Sequence, residues 1–279
     1  MIDIQSTLAD AQVALSHSAT PVIDARLLLS HVLGVPHSYL LAHGEQPLTP
    51  AQQAHFQDLL ARASRQIPIP YLLEQAPFFD LTFYVTPAVL IPRPETEELV
   101  QFALTWLQRR ESVRIVDVGT GSGCIAVTLA RHLPAGHAIA AVDISADALE
   151  VARENARRHG VSERIQFLQG NLLAPLPWSP DLIIANLPYV TDTEWTMLSD
   201  GVKLYEPPLA LIGGVDGLDI VRNLLRQASS RIADGGAILL EIGWRQGEAA
   251  RQAALSTFPR GDVSLRSDLA GHDRFLFIQ

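Results

Sequence analysis

The run DLIIANLPYV, residues 181–190, holds four consecutive apolar residues and then stops on Asn186-Leu187-Pro188-Tyr189. It reads as a buried strand whose end brings a side-chain amide, a turn-forming proline and an aromatic ring to one point. Those residue types suit a planar nitrogen. The Asn186 side-chain oxygen and a neighbouring backbone carbonyl, that of Leu187, can accept its N–H groups, and Tyr189 can stack on its plane. Two further groups lie upstream. In IVDVGTGSGCIA, Asp117 closes a strand and Gly119, Gly121 and Gly123 let the backbone turn and approach a ligand without a Cβ in the way. The helix opening near Cys124 aims its free N–H groups at the same place. Asp143 ends the next apolar run, AAVDIS, 20 residues after Gly123. That is the spacing at which a carboxylate reaches ribose hydroxyls in nucleotide-binding α/β folds. Ser145 is well placed to cap the following helix, which leaves Asp143 free for a ligand.

NAD and S-adenosylmethionine both fit a glycine bend followed by a ribose-binding acid. The dinucleotide fingerprint is G-x-G-x-x-G, and here the third glycine comes one residue early. A dehydrogenase also needs an acid–base residue near a carbinol, and neither histidine nor lysine stands at a strand end where that would work. S-adenosylmethionine is the better match to a short loop that need not embrace a pyrophosphate. Methyl transfer from it asks the protein mainly to aim an acceptor lone pair and exclude water. The fourth strand would bring Asn186 to the carboxyl edge where α/β ligands lie. No strong general base is needed, because the nitrogen becomes acidic only as the new bond forms.

The elements that must position these residues follow from periodicity. Residues 1–75 read as a helical domain. Thr20-Pro21 and Thr49-Pro50 each place a capping hydroxyl before a proline at the first helical position, and Gly34 stops the first of these helices. Another helix is expected over residues 3–16. Residues 76–93 form a connector in which Phe78, Phe79, Phe83, Tyr84 and Val85 suggest a strand of a β-hairpin, able to wall one side of a pocket. From 94 onward a helix opens at Pro94 with acidic residues over its positive end. Short β-branched runs then alternate with helical segments, which implies a parallel sheet with right-handed crossovers. Two β-rich runs at the end, in VSLRSDLAGHDRFLFIQ, are close enough to pair antiparallel. Five of the nine histidines (His17, His31, His37, His43, His55) lie in the helical part at no zinc spacing, so no metal is expected.

Composition narrows the partners. The net charge is −9 and Lys203 is the only lysine, so a nucleic-acid backbone is not the expected ligand. No apolar run reaches the ~18 residues of a membrane span, and the N-terminus has no signal-peptide pattern. With the single cysteine, Cys124, this points to a reducing cytoplasm.

The motifs VDVGTGSG, VDIS, NLPY and the connector LIPRPETEELV together resemble the release-factor glutamine methyltransferases, the PrmC/HemK family of class I S-adenosylmethionine-dependent enzymes. The likeness continues in YEPPLAL, GGVDGL, LLEIGWRQGE and the closing DLAGHDRFLFIQ. It implies a Rossmann-like, mostly parallel seven-stranded sheet with an antiparallel C-terminal hairpin. Residues 94–279 would be the catalytic domain, and residues 1–75 would recognise the substrate. It also implies methylation of the N5 amide nitrogen of the glutamine in the Gly-Gly-Gln motif of peptide-chain release factors, by a monomer. Matched motif by motif, Gly119, Thr120, Gly121, Ser122, Gly123, Asp143, Ile144, Asn171, Leu172 and Asn186 would hold the cofactor. Asn186, Leu187, Pro188 and Tyr189 would hold the glutamine, with Asn186, Pro188 and Tyr189 as the catalytic group. The family's usual turn is Asn-Pro-Pro-Tyr. Leu187 stands here at the first proline, which keeps the backbone carbonyl and gives up the stiffness of two prolines.

Three other readings stay open from the residues. The same turn would serve a flipped nucleic-acid base, adenine N6 or guanine N2. A non-catalytic binding module and a nicotinamide-dependent dehydrogenase are the others.

Overall fold

The helices of the first part are set by their punctuation. In the computed structural model, which describes residues 2–279, α1 (Ile4–Ala14) opens on a capping box. Asp3 Oδ1 accepts from the Ser6 N–H at 2.8 Å and Ser6 Oγ accepts from the Asp3 N–H at 3.1 Å. α2 (Pro21–Leu33) ends on Gly34 at a φ of 66°, the left-handed stop expected of it. α3 (His37–Ala42), α4 (Pro50–Ala63) and α5 (Ile69–Leu73) follow. Thr49 and Gln52 form a second capping box for α4. Thr20 departs from expectation. Its ψ of 52° is not the extended conformation of a cap, and its hydroxyl donates to Asp24 Oδ1 at 3.2 Å instead of accepting a helix N–H. One core built around Phe56, Leu28, Leu29 and Leu59 holds these helices together. His17, His31, His43 and His55 are exposed. Among the described residues no three potential metal ligands cluster.

Residues up to Gln75, joined by Ser199–Tyr205 from far along the chain, make one compact unit; Ala76–Leu198 and Glu206–Gln279 make a second. The second opens with a hairpin of β1 (Ala76–Phe78) and β2 (Leu81–Phe83). Phe79 is its turn residue, at a φ of 59°, and Tyr84 and Val85 lie beyond the strand. α6 (Pro94–Leu107) leads to β3 (Arg114–Val118), α7 (Cys124–His132), β4 (Ala138–Asp143), α8 (Ala146–Arg158), β5 (Ile165–Gln169) and β6 (Leu182–Asn186). Then come β7 (Val190–Thr191), α9 (Asp192–Met197), α10 (Asp200–Tyr205), which belongs to the first unit, and β8 (Ile212–Gly214). α11 (Asp219–Ala228), β9 (Ala237–Glu241), α12 (Gly247–Thr257), β10 (Val263–Ser267) and β11 (Asp273–Ile278) complete the chain.

Seven strands form one sheet in the order β10-β11-β9-β6-β3-β4-β5. β9, β6, β3, β4 and β5 are parallel, and β11 and β10 close one edge antiparallel. The central strands are apolar on both faces because both are covered. Ile115, Ile139 and Ile184 pack with Leu99 and Ile125 on one side; Val116, Val142 and Ile183 pack with Leu224 and Ala250 on the other.

One buried amide ties the connector to the glycine bend. Asn155 on α8 is fully buried. Its Oδ1 accepts from the Tyr84 N–H at 2.7 Å, and its Nδ2 donates to the Tyr84 carbonyl at 2.8 Å and the Ser122 carbonyl at 2.9 Å. Asn155→Ala strands these backbone groups. It should lower the unfolding free energy by at least about 3 kcal/mol, from ~1 kcal/mol or more for each of the three groups left unpaired, as read by denaturant titration.

Candidate active site

Four strands end or nearly end on a polar residue at the carboxyl edge of the sheet: Asp117 on β3, Asp143 on β4, Asn186 on β6 and Glu241 on β9. A cavity of about 230 Å³ opens along that edge. Gly119, Gly121, Asp143, Leu172, Asn186 and Pro188 all line it, and Ala88, Val89 and Leu90 of the connector wall it. The cavity therefore joins the glycine bend to the Asn186 turn.

The bend is braced from below. Asp117 is completely buried, and burial pushes its carboxyl up to about 7. Its Oδ2 accepts from the Thr120 hydroxyl at 2.6 Å and the Ala126 N–H at 3.2 Å. The Thr120 hydroxyl is thus turned into the protein, and Ser122 is buried with it. Gly123, at a φ of 80°, packs on α8, where a Cβ would come within 3.1 Å of Ala152 Cβ. Gly119 and Gly121 face the cavity, whereas Thr120, Ser122 and Gly123 do not. These three shape the bend without lining the space it encloses.

Asp143 bridges the bend to the next loop. Its Oδ2 accepts from the Gly121 N–H and its Oδ1 from the Ser145 N–H, each at 2.9 Å. Burial raises its carboxyl above the usual range, against those backbone donors. Ser145 caps α8 through the Ala148 N–H, which leaves the spare lone pairs of Asp143 for a ligand. Ile144, half exposed at 52%, together with Asn171 and Leu172, which has a φ of 55°, lines the far part of the cavity.

The turn after β6 is held by its neighbours instead of by a proline pair. Leu187 is buried, and a Cβ on Gly119 would meet its Cδ2 at 3.1 Å. A Cβ on Gly213 would sit 2.5 Å from the Pro188 carbonyl oxygen, so only glycine lets β8 approach. Val190 donates its N–H to the Leu211 carbonyl at 2.9 Å. Gln246 Nε2 donates to the Tyr189 carbonyl at 2.8 Å and the Asp216 carbonyl at 3.0 Å. Among the described residues none donates to the Leu187 carbonyl. Tyr189 does not line the cavity of Asn186. It lines a second one with Trp244 and Arg274, and burial together with nearby Glu241 pushes its phenol up.

Two residues missed by the motif reading stand behind Asn186. Its Nδ2 donates to Thr96 Oγ1 at 2.9 Å, and the Thr96 hydroxyl donates to Glu241 Oε2 at 2.7 Å. Glu241 is the register partner of Asn186 across β6 and β9. A third missed residue is Glu206, buried, which accepts from Arg93 at 2.6 Å and from the Ile91 N–H at 3.3 Å and so pins the connector. For the two carboxylates the signal was an acidic residue, inside the apolar run of LLEIG and before the prolines of YEPP; Thr96 carried no such signal.

Two family models match the chain: a PrmC N-terminal domain over residues 6–73 and a methyltransferase small domain over 96–203. The chain is 42% identical to a release factor glutamine methyltransferase of Bordetella pertussis, covering 93% of this chain and 95% of that one. It is also 42% identical to one of Moorella thermoacetica, covering 91% and 89%. This chain belongs to the release factor glutamine methyltransferase family. Solved structures share the fold: a ribosomal protein L11 methylase of Lactobacillus delbrueckii has a TM-score of 0.52 at 21% identity, over 70% of this chain and 83% of that one. A methyltransferase of Pyrococcus furiosus has a TM-score of 0.53 at 16% identity, over 82% and 98%.

Gly217 is the sharpest test of the clamp on this turn. At a φ of 75° it is left-handed, and a Cβ there would run into the Tyr189 carbonyl and Gln246 Nε2. Gly217→Ala should cost about 1–3 kcal/mol of overpacking on top of backbone strain. Gly160→Ala, equally left-handed but in open space, should cost only the strain, ~1–2 kcal/mol. Denaturant titration of the two variants side by side reads the difference.

Proposed function

We infer that this protein transfers a methyl group from S-adenosylmethionine to the side-chain amide nitrogen, N5, of the glutamine in the Gly-Gly-Gln motif of peptide-chain release factors. The observation that carries the reading is the single cavity running from the glycine bend and Asp143 to Asn186, in a chain of this family. Its lining fits an adenosyl ligand: a bend without side chains, a carboxylate with spare acceptor positions, and the apolar Ile144 and Leu172 for a base. When bound there, S-adenosylmethionine supplies a methyl group already activated by its sulfonium.

The rest is the work of this chain's own residues. Asp143 would accept from ribose hydroxyls, while Gly119 and Gly121 give close approach. Asn186 Oδ1 and the Leu187 carbonyl, neither engaged by a donor among the described residues, would accept the two N–H groups of the substrate amide. That orients the nitrogen lone pair and offsets the positive charge that develops on it. The proton lost from nitrogen needs no dedicated base, since the nitrogen that has gained the methyl group and still carries both hydrogens is cationic and strongly acidic. Pro188 continues the turn, and Tyr189, which lines the second cavity, has no direct part in holding the amide. The first unit would recognise the release factor, and such a substrate puts the protein in the cytoplasm. Among the described residues no helix is long and apolar enough to cross a membrane. A nucleic-acid base as acceptor is not favoured: the net charge is −9, and the family relatives are named for release factors.

Incubation with labelled S-adenosylmethionine and release factor should label the glutamine, and a release factor with that glutamine replaced should stay unlabelled. Label entering nucleic acid instead would reassign the acceptor. Asn186→Ala should lower kcat about a hundredfold or more with little change in cofactor affinity, the loss typical of one preorganised polar contact to the reacting group. Asp143→Ala should do the reverse. It should raise the cofactor Kd about tenfold or more, the equivalent of one lost charged hydrogen bond, as measured by calorimetry with S-adenosylhomocysteine.

A further inference from the structure

Asn186 carries one donor end and one acceptor end on the same carboxamide, and only one end can face the cavity usefully. An amide nitrogen brings N–H groups, so Asn186 must offer its oxygen. The turn around it does not decide this, because either end of a carboxamide has nearly the same shape. The decision is made two residues back. Glu241, 1% exposed, is an acceptor only when ionised. Thr96, also 1% exposed, has a single O–H, which it gives to Glu241 Oε2 at 2.7 Å. Thr96 Oγ1 is then left as an acceptor and takes the Asn186 Nδ2 donor at 2.9 Å.

We propose that Thr96 and Glu241 are positioning residues that set the polarity of the active-site carboxamide, holding the Asn186 oxygen toward the substrate nitrogen through a one-way chain of hydrogen bonds. The proposal rests on the reading of Asn186 as the amide-binding group. The geometry supplies the reason for the pairing: Asn186 and Glu241 are direct register partners on adjacent parallel strands, and Thr96, in the first turn of α6, lies between their side chains. An uncharged partner at 241 would remove the one-way character. A protonated Glu241 can donate to Thr96, whose hydroxyl can then donate to Asn186 Oδ1 and turn the amide round, so that an N–H faces an N–H.

Burial pushes the Glu241 carboxyl up to about 7, opposed by the Thr96 hydroxyl. The other charged or titratable groups around it are Arg274 from β11, which favours ionisation, and Glu95 from α6, which opposes it. Tyr189 is 3.5 Å away after β6, and Cys124 comes from α7. The sign follows. Above about 7 the carboxylate is ionised and the chain is one-way; below it the lock is lost, so kcat should fall as pH drops through that range.

The test is a double-mutant cycle on the full-length protein with release factor as substrate. Thr96→Val, which keeps the shape and removes the hydroxyl, should lower kcat about tenfold to a hundredfold, the usual cost of losing a partner that orients a site ligand. It should also weaken release-factor binding measured calorimetrically without any methyl donor, while the Kd for S-adenosylhomocysteine holds. Thr96→Ser should recover most of the loss. In the Asn186→Ala background the same Thr96→Val change should cost no further activity, although its effect on thermal stability persists. Glu241→Gln should remove the fall in kcat below pH 7. Equal activity losses from Thr96→Val in both backgrounds would reduce Thr96 to a structural residue and overturn the proposal, as would a pH limb unchanged in Glu241→Gln. Full turnover by Asn186→Ala would instead remove the reading beneath it, a result distinct from failure of the chain alone.

Discussion

A parallel sheet ends all its strands at one edge, and in this protein that constraint does most of the assembly of the site. Asp143 and Asn186 lie far apart in sequence but close a row of polar strand ends at that edge, in which Asn186 and Glu241 are direct register partners. The row has an electrostatic consequence. Polar groups that end a strand covered on both faces are partly or wholly buried, and burial pushes both Asp117 and Glu241 up to about 7. Each is compensated by hydrogen-bond donors aimed at it, Thr120 and the Ala126 N–H for one, Thr96 for the other. Without those donors the same side chains would be liabilities to the fold.

The Asn186 turn shows two ways of making backbone rigid. Consecutive prolines stiffen it locally, by fixing φ. Here Leu187 replaces one of them, and stiffness comes from contact: Leu187 against Gly119, the Pro188 carbonyl against Gly213, the Tyr189 carbonyl on Gln246. Contact rigidity is distributed. It makes residues 213–217 and 246 part of the support of the site although none of them carries chemistry, and it explains why glycine is needed where a side chain would strike a carbonyl. The approach is closer than any Cβ permits.

The parts of this architecture that a sequence announces are those with a local signature. The glycine bend, Asp143 after the next strand, the Asn186 turn, the alternation from residue 110 and the Gly34 stop are each visible as residue type and spacing. The antiparallel final hairpin was legible in the same way. Thr20 misled because a hydroxyl before proline is a cap only if its backbone is extended, and nearby Asp24 competes for that hydroxyl. α11 went unread although Val221, Leu224, Leu225 and Ala228 mark one buried face. The short pair β7 and β8 has no periodicity to find. Asn155, Thr96, Glu241 and Glu206 escaped for a deeper reason. Their partners are 71, 90, 145 and 113 positions away, so only the fold reveals what they hold.

Why a buried carboxylate should stand behind Thr96, and not in the site, follows from what each position must do. A charged acceptor facing the substrate amide would also attract the cationic methyl donor in the ground state. Binding that is equally strong before and during reaction tightens KM without raising kcat. A neutral carboxamide avoids this, but is ambiguous at its two ends. Placing the charge behind Thr96 keeps the neutral group at the reacting nitrogen and uses the carboxylate only for its inability to donate. The desolvation cost of Glu241 is then the cost of specifying one orientation out of two. An apolar side chain would pack there at lower cost, but could not carry that information.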